Sequence, residues 1–110
     1  MPDRLARARA GNSFTVISGP CTATGACVTS PNFPSAYGNN QACSIRADVS
    51  GELRVDAFST ESGYDKLTIG STRYEGSSGP AGISVDPTTA IAWVSDVSVV
   101  RSGWKICIGA

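Results

Sequence analysis

Glu61 and Asp65 stand four positions apart in the stretch "FSTESGYDKLTI" (58–69), with Tyr64 between them. Two carboxylates in one short turn repel each other unless something positive compensates. The chain contains no histidine. Lys66 should point away from Asp65 if a strand has begun there, since successive strand side chains alternate faces. On spacing alone these are solvated turn acids, Asp65 capping its turn through its side chain. A glycosidase pair is the catalytic alternative, but nothing else in the sequence suggests a sugar cleft.

Other chemistry finds little support. Serines are plentiful, yet there is no histidine base and no G-x-S-x-G elbow. One S-x-x-K match, Ser102 to Lys105, runs into the closing strand and lacks the companion S-D-N and K-T-G motifs. The glycine-containing "GSTRYEGSSGPAG" has no lysine–serine pair with which to cradle phosphate, and no N-x-S/T sequon occurs. The expectation is a protein that is not an enzyme.

The four cysteines, Cys21, Cys27, Cys43 and Cys107, include no C-x-x-C pair. Without histidine, a Cys/His zinc site is excluded. An even count in a small, turn-rich chain reads as two disulfides made in an oxidising compartment, each worth roughly 2–4 kcal/mol, with all three pairings open.

These residues must be positioned by strands. At 110 residues the chain fits one domain. Twelve glycines and six prolines punctuate short Val/Ile/Leu clusters. Strands are expected at 13–18, 27–30, 42–49, 52–58, 65–69, 72–74, 82–85, 90–95 and 103–108, a spacing that suggests a sandwich or barrel. In "GELRVDAFST", Leu53 and Val55 share a face while Phe58 is out of phase, so a bulge near Asp56–Ala57 is expected to return Phe58 to the core. Trp93 alternates with Ile91, and Trp104 with Ile106 and Ile108, which marks both indoles as core rather than sugar platforms. Phe33 and Tyr37, in "SPNFPSAYG", read as loop packing.

Charge bounds the partners. Nine basic and nine acidic residues cancel, but Arg4, Arg7 and Arg9 face only Asp3 in the first ten residues. That leaves six basic against eight acidic residues over 11–110, about −2, which does not suit nucleic acid. No segment is long or apolar enough to span a membrane, so no membrane insertion is expected. Residues 1–12 read as a flexible arm and 13–110 as the domain. The arm has basic residues but no apolar h-region, so a secretion signal, if one exists, lies outside this sequence.

Four motifs in order, "SPNFPSAYGNNQAC" (30–43), "YDKLTI" (64–69), "WVSDVSV" (93–99) and "GWKIC" (103–107), together with the L-x-V-x-x-F-x-x-E pattern of 53–61, resemble the CUB domain family. The resemblance covers about residues 20–109. It implies an all-β, two-sheet antiparallel β-sandwich of jelly-roll type, extracellular, serving as an interaction module. It further implies a calcium site at one end, with Glu61, Asp65 and Asp96 as carboxylate ligands, a carbonyl or hydroxyl near Ser98 as a further one, and Tyr64 buttressing the loop. Calcium takes six to eight hard oxygens in irregular geometry, which three carboxylates with carbonyls and water satisfy. A divalent ion then answers the repulsion between Glu61 and Asp65.

By the same resemblance Cys21 pairs with Cys43, leaving Cys27 for Cys107. Two features depart from the family: Gly63 replaces a cysteine before "YD", and Val99 stands where many calcium-binding members have asparagine. The partner implied is a protein presenting a basic side chain, a glycan being a further possibility. The alternative reading is a structural spacer, stapled by disulfides, within a larger secreted protein.

Overall fold

The computed structural model describes residues 12–108. Ten strands follow in chain order: β1 (Phe14–Ser18), β2 (Thr22–Thr24), β3 (Cys27–Thr29), β4 (Ala42–Ala47), β5 (Gly51–Ser59), β6 (Lys66–Ile69), β7 (Thr72–Tyr74), β8 (Ser84–Val85), β9 (Ala90–Val94) and β10 (Gly103–Ile108). They form two antiparallel five-stranded sheets, ordered β1-β4-β9-β6-β7 and β2-β3-β10-β5-β8. The all-β sandwich expected from the sequence is the fold observed. Only β2–β3 and β6–β7 are consecutive strands that pair directly; every other connection passes from one sheet to the other. The arm expected at 1–12 lies outside the described residues except for Asn12.

Alternating side chains build the core. In β9, Ile91 and Trp93 are buried while Ala90, Ala92 and Val94 face solvent. Trp93 and Trp104, one from each sheet, meet edge to face across the core with centroids 5.8 Å apart. Both are fully buried, as their alternation with isoleucine implies. The expected bulge is present: Lys105 pairs with Ala57 and Ile106 with Val55, so Asp56 is the extra residue and Phe58 packs against the core.

The unforeseen strand is β2, whose threonines and alanine carry no apolar alternation. It exists because Gly25, at a φ of 59°, turns the chain back so that Thr22–Thr24 pairs with Cys27–Thr29. The run 82–85 is shorter than expected, with only Ser84–Val85 paired to β5.

Both expected disulfides are formed: Cys21–Cys43, the pair taken from the resemblance, and Cys27–Cys107, the pair left over where the chain departs from it. The first joins the two sheets, running from just before β2 to β4. The second staples β3 to β10 at directly opposed positions. Gly103 is fixed by a close approach: a Cβ there would lie 1.9 Å from Ser30 Oγ. That hydroxyl accepts a hydrogen bond from the Trp104 amide at 2.9 Å, tying the "SPNFP" segment to the closing strand.

Candidate metal centre

Strand register places the acids. Lys66 opposes Val94 where antiparallel β6 and β9 pair, so the residue before β6 and those after β9 emerge at the same end of the sandwich. Asp65 and Asp96 are these residues. Glu61 arrives from the other sheet, in the segment that carries the chain from β5 to β6. A tight turn closes it onto Asp65, whose amide donates to the Glu61 carbonyl at 3.0 Å, with Gly63 at a φ of 88°. Carboxylate oxygens of Glu61, Asp65 and Asp96 all lie within 4.8 Å of one another. The three expected ligands are brought together.

Asp65 is fully buried and fixed by two donors. The Tyr37 hydroxyl donates to its Oδ2 at 2.6 Å, and the Asp96 amide donates to its Oδ1 at 2.8 Å. The same Tyr37 hydroxyl accepts from the Glu61 amide at 3.2 Å, so one phenol holds two members of the cluster. Tyr37 is itself locked, its ring edge-on to Trp93 with centroids 4.8 Å apart. Burial, then the hydrogen bond to Asp65, pushes its hydroxyl pKa far above the ordinary tyrosine value, so it remains a donor.

The loop behind the cluster is equally well held. Buried Thr60 donates from Oγ1 to the Asp65 carbonyl at 3.0 Å and accepts there from the Gly76 amide at 2.9 Å. On the other side, the Asn40 amide donates to the Asp96 carbonyl at 2.7 Å.

Glu61 is the unbalanced member. Its Oε1 is out of solvent contact and has no hydrogen-bond partner among the described residues. Its carboxyl is raised above the usual glutamate range, first by burial and then by the Asp96 and Asp65 carboxylates, with Arg101 offsetting part of this. Among the described residues no lysine or arginine forms an ion pair with any of the three acids; the pairs present are Arg46–Asp48, Arg54–Asp56 and Lys105–Asp56. Lys66 instead donates from Nζ to the Gly63 carbonyl at 3.3 Å.

The supporting residues divide. The Ser98 amide donates to Asp96 Oδ1 at 3.3 Å, which sets it beside the cluster. Val99 adopts a φ of 62°, a left-handed conformation uncommon for a β-branched side chain and far easier for the asparagine that family resemblance leads one to expect. Tyr64, expected to buttress the loop, is 60% exposed. The phenol bonded to the acids is that of Tyr37, which the sequence presented only as loop packing. The available signal was weak: a tyrosine hydroxyl that becomes buried needs a polar partner.

Cys27, Asp56 and Cys107 also converge. Both sulfurs belong to one disulfide, so no thiolate is available to a metal there.

The donor set fits a hard cation. It offers carboxylate oxygens only, one of them buried and unpartnered, and no nitrogen or thiolate that would favour zinc or copper. Compared with known proteins, the sequence matches no family model and no curated relative.

Proposed function

We propose that this chain is a CUB-like, non-catalytic interaction module of the extracellular space, binding its partners in a calcium-dependent manner through the loops around Glu61, Asp65 and Asp96. The observation that carries this reading is the convergence of three carboxylates within 4.8 Å, with Glu61 Oε1 buried and unpaired. Such a group of like charges is unfavourable unless protonated or neutralised by a cation. The two disulfides suit an oxidising compartment.

Glu61, Asp65 and Asp96 would hold the ion, which supplies the positive partner that no ion pair among the described residues gives these three acids. The Tyr37 hydroxyl and the Asp96 amide keep Asp65 oriented whether or not a cation is present. With the loops ordered, remaining carboxylate oxygens face a basic side chain of a protein partner, an ion pair sensitive to chelator and to salt.

Calcium titration of the purified protein by calorimetry, with a parallel melting curve, tests this. Expected is a millimolar to sub-millimolar dissociation constant. At a hundredfold excess over it, the native state gains about 2.7 kcal/mol. No heat and no rise in melting temperature in large excess would overturn the reading in favour of the disulfide-stapled spacer.

A further inference from the structure

The outer face of the β2-β3-β10-β5-β8 sheet carries a groove that the metal centre does not account for. Ala23 and Val28 turn toward the core from β2 and β3, so Thr22, Thr24 and Thr29 stand on the outer face. Lys105 shares that face, between buried Trp104 and Ile106. Register sets Thr22, Thr29 and Lys105 in one row across β2, β3 and β10. Asn32 and Phe33, from the "SPNFP" segment, complete a groove of about 580 Å³. Small-ligand sites commonly measure about 300–1,000 Å³. Phe33 is the telling member. Every other aromatic residue except Tyr64 is buried in the core or packed against it. Phe33, which the sequence presents as loop packing, is half-buried, stands apart from the core cluster and lines the groove.

The floor offers side chains rather than backbone, because β3 uses its amides and carbonyls in ladders with β2 and β10. Three hydroxyls, one carboxamide and one ammonium are therefore its polar groups. Thr29 makes only a long bond within the fold, from Oγ1 to the Thr22 carbonyl at 3.5 Å. Lys105 is the one charged residue in the lining, and its Nζ already has Asp56 Oδ2 at 3.9 Å. Along the outer faces of β5 and β10, Glu52 and Asp56 balance Arg54 and Lys105. Such a site selects neither an ion nor a purely apolar ligand. It suits a neutral molecule rich in hydroxyls, whose polarised C–H groups can lie on a phenyl face. We propose that the groove is a subsite for a neutral pyranose of a glycan. Phe33 stacks on the sugar ring, while Thr22, Thr24, Asn32 and Lys105 bond its hydroxyls.

Two disulfides fix the floor before any ligand arrives. Cys21, bridged to Cys43, immediately precedes Thr22, and Cys27, bridged to Cys107, is part of the lining. No lining residue belongs to the acid cluster, so the inference stands apart from the calcium reading.

Amide-resolved NMR titration of the intact, isotope-labelled protein in chelator tests the proposal. The probes are lactose, cellobiose and di-N-acetylchitobiose, beside sorbitol and a sulfated chondroitin disaccharide. Expected is a saturable shift of the amides of Thr22, Thr24, Thr29, Asn32, Phe33 and Lys105 with at least one neutral disaccharide, in the millimolar range. Phe33→Leu keeps an apolar side chain and removes the ring; it should weaken binding about tenfold, and Phe33→Tyr should retain it. Thr24→Val, at an exposed position, should weaken binding by a smaller factor.

The absence of any shift with all three neutral disaccharides overturns the proposal. So does an equal response to sorbitol, which marks non-specific solvation by hydroxyls. A response to the sulfated disaccharide alone would make this an anion site at Lys105, and that also overturns it. Shifts that map outside the groove, or that persist unchanged in both Phe33→Leu and Thr24→Val, do the same. Each of these outcomes leaves the calcium reading untouched.

Discussion

Asp86 and Glu61 are both acids in turns of the same sandwich, in opposite electrostatic circumstances. Asp86 opens "DPTT", and its own neighbours satisfy it: Oδ1 accepts from the Thr88 amide at 2.8 Å and the Thr88 hydroxyl at 2.6 Å. Those bonds, the Thr88 hydroxyl first, hold its carboxyl below the usual range. Glu61 has a buried oxygen with no donor and two carboxylates for company, and its carboxyl is raised. A turn that solves its own electrostatics is architecture. One that leaves the problem unsolved invites an outside solution.

The comparison breaks most severely at Asp65. Asp65→Ala should strand the Tyr37 hydroxyl and the Asp96 amide, costing about 2–5 kcal/mol of stability in urea unfolding. Asp96→Ala removes one carboxylate and leaves the backbone donor to Asp65 in place. It should keep the fold and lose the calcium response, forfeiting the stabilisation of about 2.7 kcal/mol that a hundredfold excess gives the parent protein. An unchanged calorimetric affinity would remove Asp96 from the site.

The pH dependence should differ in sign between the two turns. For Glu61 the folded carboxyl is raised, so between the ordinary glutamate value and that raised value the native state holds the extra proton. Stability without calcium should therefore fall as pH rises through that window. Glu61→Gln should flatten this slope, raise the melting temperature at neutral pH in chelator, and blunt the response to calcium. Asp86 is depressed, so its contribution is present above the ordinary aspartate value and is lost as pH falls through its lowered one. The smallest effect belongs to Asp86→Ala, a modest fall in melting temperature near neutral pH with the calcium response intact, read by the same scan.

Much of the fold could be read in the chain because period-two alternation is local. Ile91/Trp93 and Trp104/Ile106/Ile108 state their buried face by themselves, and the phase slip from Val55 to Phe58 locates the bulge at Asp56. The strand at Thr22–Thr24 was hidden, because its stability comes from pairing with β3 and from a positive-φ turn at Gly25. The acids were individually visible. Tyr37 was not, since 28 residues of chain separate it from Asp65 and nothing nearby marks it as a donor.

By itself the sequence determined the class of fold, the identity of the core indoles and the presence of three acids able to serve a hard cation. Spacing set Glu61 beside Asp65, because a five-residue turn leaves them little choice. Only the tertiary structure decided that Asp96 joins them, through the β6–β9 register, and that one phenol from a distant loop fixes the cluster. Alternation and turns are properties of neighbouring residues, whereas the meeting of 61, 65, 96 and 37 depends on which strands pair and on how two sheets close over a shared core.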